Sequence, residues 1–146
     1  MIAFTVLGVP VPQGSMVAFI SKHMPYPQVK ADNEKALRPW RRRIAMAARA
    51  SAKGATAAPG IPVQVRLTFR MPRPKVMPKG RIAPTVTPDI DKLLRACLDA
   101  LTLAGIYHDD AQVIDTHAIK LYATPERPPG VYVEVEFMSL GLEAAS

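Results

Sequence analysis

The 146-residue chain predicts one α+β domain, a mixed β-sheet of about four strands packed with two main helices. Apolar spacing changes along the chain, from every second residue to steps of three and four, and back again. Hydrophobic residues make up 49%, enough for a core at this length. The order strand–helix–strand–helix–strand–strand contains no repeat and no sign of a second domain, so 1–146 reads as a single domain.

Residues 2–9 alternate Ile2, Phe4 and Val6 against Ala3, Thr5 and Leu7, a buried strand stopped by Pro10 and Pro12. The segment lacks the charged start of a signal peptide. Residues 10–33, with Pro10, Pro12, Gly14, Pro25 and Pro27, read as a loop. A helix is expected from about Asn33 to Ala52, capped by Asp32 or Asn33, with Trp40 and Ile44 on its apolar side. Pro39 marks either a kink or the true start. Residues 51–60 form a connector of small residues. A half-buried strand follows at 61–70, with Ile61, Val63, Val65, Leu67 and Phe69 inward and Gln64, Arg66, Thr68 and Arg70 outward. Five prolines and a glycine in 71–88 exclude regular structure and predict a mobile basic loop. From Asp89 to about Ala104 the spacing is helical, with Thr87 as cap, Pro88 at the first position and Gly105 at the exit. Strands are expected at 112–122 and around Val131, Val133, Val135 and Phe137, before a tail at 139–146.

Charge is divided unevenly. Residues 1–88 hold 15 Lys/Arg and 2 Asp/Glu, a balance of +13; residues 89–146 hold 4 and 10, a balance of −6. That split suits a polyanion held by one part while carboxylates of the other act on it. Arg41 and Arg42 on the first helix, Arg70, and Arg73, Lys75, Lys79 and Arg81 of the loop are the candidate phosphate contacts. No run of 18 apolar residues exists to span a membrane. Cys97 stands alone and falls in an apolar stripe; a chain without a disulfide fits the cytoplasm.

Carboxylates concentrate in "DIDKLLRACLDALTLAGIYHDD", 89–110. In a regular helix Asp89 and Asp91 would point to nearly opposite faces, yet an extended Asp89 lets them converge. Asp109 and Asp110 lie a helix length of about 22 Å and a turn away, so a fold-back or a second subunit must return them to that end. Carboxylates gathered there would need a cation, and an all-oxygen set suits Mg²⁺ or Mn²⁺. Arg95, four residues after Asp91, is an ion-pair partner or a clamp on phosphate charge. Aspartates at a helix start also serve the dipole and the cap, so the residues themselves leave metal binding and simple capping both open.

The stretch "DIDKLLRACLDALTLAGIYHDDAQVID" resembles the signature of the RusA family of Holliday-junction resolvases: Asp-x-Asp, a helix with an Asp-Ala-Leu core, a glycine, then Asp-Asp-Ala-Gln-Val. The "VPVPQGS" loop resembles phage-type members more loosely. The resemblance implies a homodimeric, Mg²⁺-dependent endonuclease (Mn²⁺ as an alternative ion) that nicks four-way DNA junctions symmetrically. It carries the essential carboxylates onto Asp89, Asp91 and Asp110, as metal ligands and catalytic groups. Arg95 stands where the bacterial prototype has lysine, which keeps the charge but not an easy proton donor. Asp109 belongs to the pattern without an assigned ligand role, and His108, His117 and His23 have none. The competing reading is a non-catalytic, branched-DNA-binding dimer with a degenerate acidic site.

Overall fold

The computed structural model describes residues 1–14, 16–20, 22–23, 27–31 and 33–139; for 16–20 and 27–31 it describes the backbone. Its elements are β1 (Ile2–Leu7), β2 (Met16–Ile20), β3 (Pro27–Ala31), α1 (Glu34–Ala52), β4 (Val63–Met71), α2 (Ile90–Leu103), β5 (Val113–Tyr122) and β6 (Gly130–Phe137). A 3₁₀ turn at Asp110–Gln112 leads into β5. The main sheet runs β1-β6-β4-β5, and β2 and β3 form a separate two-stranded sheet. The α+β class, the mixed sheet of four strands and the two helices are as expected.

Alternation sets the sheet. Val63, Val65, Leu67, Phe69 and Met71 of β4 are buried, as are Val131, Val133 and Val135 of β6. β6 lies antiparallel to both β1 and β4, pairing Phe4 with Val133 and Leu67 with Val133. β4 and β5 are parallel, so the chain must cross over between them, and α2 lies on that crossover. Gly130 is required where β6 meets β1, because a Cβ there would stand 2.4 Å from the Val6 carbonyl oxygen.

The helices contribute Leu37, Trp40, Ile44 and Ala48 from α1 and Leu93, Ala96, Cys97, Ala100 and Leu101 from α2 to one core with the sheet. Burial pushes the Cys97 thiol far above its ordinary pKa, which leaves it an inert core residue. The exit of α2 follows the expected glycine. Gly105 has φ +74°, its N–H donates to Thr102 O at 3.0 Å, and Ile106 N–H donates to Leu101 O at 3.2 Å.

Three expectations change, and the choice left open at Pro39 is decided. Residues 10–33 are not simply a loop, since they contain the antiparallel strands β2 and β3; Pro27 is the first residue of β3, a position that tolerates proline. Thr87 does not cap α2. Asp89 is the cap residue, and Pro88 precedes it rather than opening the helix. Ile61 lies ahead of β4 and is exposed. Pro39 lies inside α1, which begins at Glu34. Of the tail expected at 139–146, residues 140–146 lie outside the described residues. Among the described residues no helix is long and apolar enough to cross a membrane.

Candidate active site

The acidic site begins where an irregular segment becomes a helix. Residues 72–88 contain no helix or strand, and Asp89 ends them with φ −69° and ψ 143°. Asp89 is therefore extended, the backbone condition for bringing its side chain toward that of Asp91. Its carbonyl accepts the Leu93 N–H at 3.2 Å, while its side chain caps nothing. The carboxylate is thus not committed to the helix end. Asp89 and Asp91 are both exposed.

Two long-range contacts hold this helix start. Lys120 on β5 donates from Nζ to the carbonyl oxygens of Val86 and Pro88, each at 2.8 Å. Bonds from an ammonium are stronger than neutral ones, so Lys120 tethers the backbone immediately before Asp89 to the sheet. On the other side, Gln13 N–H donates to Lys92 O at 2.9 Å and Asn33 Nδ2 donates to Pro12 O at 2.8 Å. The N-terminal loop thereby lies across the first turn of α2. Asp89, Lys92 and Arg81 line a groove of about 630 Å³ with Pro10, Pro84 and Tyr122. Asp91 and Arg95 line a second groove of about 320 Å³, and Gln13 and Gly14 border both.

Asp109 and Asp110 occupy the turn before β5. Asp109 accepts the Ala111 N–H at 2.9 Å, which, with a hydrogen bond from Asp110, holds its carboxyl below the ordinary range. The same side-chain hydrogen bond raises Asp110, helped by desolvation and the charges of Asp109 and Asp99 and opposed by Arg95. Asp110 is therefore in the field of Asp99 and Arg95. Arg95 pairs with Asp99 at 3.5 Å, four residues onward, rather than with Asp91 four residues before it. Gln112 builds the turn: Oε1 accepts His108 N–H at 2.8 Å and Asp109 N–H at 3.1 Å. Its Nε2 donates to Ala58 O at 2.9 Å and Ile61 O at 3.0 Å.

The donor chemistry at 89–91 fits a hard divalent ion, being carboxylate oxygen with neither histidine nor thiolate. Yet among the described residues no three His, Cys, Asp or Glu side chains gather closely enough to hold a metal. One chain thus presents Asp89 and Asp91 at the start of α2 and Asp110 in the field of Asp99 and Arg95, without closing a cage among the described residues.

The candidate DNA contacts divide by their surroundings. Arg73, Lys75 and Lys79 are exposed on the irregular segment, with Arg81 half-buried at the groove. Arg70 is half-buried on the sheet face away from the helices, beside Glu126 and Arg127. Arg42 is exposed, whereas Arg41 is bound to Glu34 at 3.1 Å. Other α1 arginines serve the fold: Arg43 donates to Leu7 O, and Arg49 Nη2 donates to Leu103 O at 2.7 Å at the end of α2. Lys120 left no signal in the sequence, while Asp99 and Gln112 stood in the signature without an assigned role; Asp99 also completes the row Asp91, Arg95, Asp99 at four-residue steps.

The family model for endodeoxyribonuclease RusA matches residues 12–136. The chain is similar to the crossover junction endodeoxyribonucleases RusA of Escherichia coli K12 and Shigella sonnei and to that of Enterobacteria phage 82. In each case 36% of 64 residues are identical, over 44% of this chain and 44% of the relative. The aligned stretch thus spans less than half the length of these relatives. With the Asp-x-Asp helix start, the Asp-Asp-Ala-Gln-Val turn and a family match over most of its length, the chain belongs to the RusA endodeoxyribonuclease family.

Proposed function

We propose that this protein is a structure-selective DNA endonuclease that resolves four-way junctions by paired, symmetric nicks as a homodimer, with Mg²⁺ or Mn²⁺. The observation that carries this reading is local. An unbonded pair of aspartates at the start of α2 adjoins an acid-free segment bearing Arg73, Lys75, Lys79 and Arg81. The cations of that segment, with Arg70 and Arg42, hold phosphates and orient the backbone without reading bases. Arg41 contributes once its bond to Glu34 is given up.

Asp89 and Asp91 supply two ligands to the ion, and Asp110 the third. A bound divalent ion supplies an activated water and charge stabilisation on the leaving oxygen. Because one chain does not close the set, Asp110 of a second copy completes it. A twofold pair then has two equivalent sites, as two symmetric cuts demand. Arg95 acts as a clamp on phosphate charge, released from Asp99 when the anion arrives. A junction-processing enzyme of this kind works where the DNA is, in the cytoplasm of a bacterial or phage-infected cell.

The same lack of a closed set favours a second reading, a dimer that binds branched DNA without cutting it. A labelled four-way junction separates the two. Symmetric nicks that need Mg²⁺ or Mn²⁺ and disappear in Asp91→Asn support the nuclease; tight binding without nicks in either ion supports the binder.

A further inference from the structure

The 71–88 segment carries a feature that phosphate binding does not use. Ile82 is 94% exposed and Val76 83% exposed. Isolated apolar residues on a surface are ordinary. These two, however, lie among Arg73, Lys75, Lys79 and Arg81, with no acid in the segment. Ile82 is also not on a loose strand of chain. It follows a turn closed by Arg81 N–H to Pro78 O at 3.1 Å, in which Gly80 takes the required positive φ of +82°. Two residues later Pro84 is buried, and then come the Val86 and Pro88 carbonyls held by Lys120. The side chain is thus raised into solvent on an anchored support.

We propose that Ile82, seconded by Val76, is an apolar wedge that enters an interrupted base stack beside the cut phosphate. This inference rests on the nuclease reading and deepens it, since the occupant of the apolar tip is the DNA itself. Flanking cations bring nucleic acid to the tip, and seven residues of chain place it within about 25 Å of Asp89. Burying a fully exposed isoleucine favours the bound state by roughly 10- to 100-fold. In intact duplex that gain is consumed by unstacking a base step, but at a branch point the stack is already broken. The wedge therefore discriminates branched from linear DNA, which phosphate contacts alone do not.

The test compares wild-type protein with Ile82→Ser and with Ile82→Ser/Val76→Ser, in EDTA. Binding is measured to a four-way junction and to a linear duplex, each carrying 2-aminopurine beside the branch point or at the matching duplex position. Wild type should brighten the junction probe. Ile82→Ser should lose that signal and weaken junction binding about 10-fold, with duplex binding and the log–log salt slope unchanged. Equal losses on both DNAs, or unchanged junction preference and fluorescence, would overturn the wedge. A variant that loses its dimer by sedimentation together with its DNA preference would assign Ile82 to the subunit contact and overturn it as well. Wild type that shows no preference for the junction defeats the nuclease reading; preference kept in both variants defeats the wedge alone.

Discussion

Replacing Lys120 by methionine removes the tether of the Asp89 backbone while keeping the length and apolar stem of the side chain. The lost contacts are two charged hydrogen bonds of 2.8 Å, to Val86 O, which is exposed, and to Pro88 O, which is partly buried. Such bonds contribute about 1.5–3 kcal/mol each when shielded, and water screens the exposed one, so the segment loses about 1–3 kcal/mol. Because the held residues are irregular, the loss is local, and the melting temperature should fall by less than about 10 °C. The catalytic effect is larger. A misplacement of about 1 Å at a reacting group costs on the order of 100-fold. Single-turnover cleavage of a four-way junction should therefore drop about 100-fold, with more Mn²⁺ needed for half-maximal rate and junction binding in EDTA unchanged. A folded Lys120→Met protein that cuts at the wild-type rate and metal demand would refute this reasoning.

Other expectations follow from individual contacts. Gln112→Leu removes four hydrogen bonds at the Asp109–Asp110 turn and should cost about 1–3 kcal/mol in urea denaturation; an unchanged midpoint contradicts the turn's construction. Leu101→Ala, at a fully buried position, should cost about 2–5 kcal/mol by the same measurement. Cys97 should resist a thiol reagent in the native protein at pH 8 and react fully in denaturant, because burial disfavours its thiolate; rapid native labelling would place it outside the core.

Legibility in the sequence followed the range of the forces involved. β4, β6 and α2 were readable because their buried side chains recur at the period of the element, as Val63 through Met71 and Leu93 through Leu101 do. Strands β2 and β3 were masked because Pro10, Pro12, Pro25 and Pro27 outweigh the short β-forming run at 16–20. The cap of α2 was misplaced by two residues, since Thr87 and Asp89 both suit a cap by type and only backbone geometry distinguishes them. The acids and cations of the site stood out as a pattern. Lys120 did not, because its partners lie 32 and 34 residues away and a lysine on a strand looks like ordinary surface. Nor could spacing reveal that Asp110 feels the charge of Asp99, or that no three carboxylates among the described residues of one chain close a metal site.

The central claim is that Asp89 and Asp91 of one chain act with Asp110 of the other, and mixed dimers test it directly. Asp91→Asn and Asp110→Asn chains, each inactive alone, are co-expressed with different tags and the mixed dimer is purified. Sites shared across the pair leave one intact set, so the mixed dimer should nick one strand of a labelled junction in Mn²⁺. If both chains bind the junction and the mixed dimer still makes no nick, the shared site is contradicted.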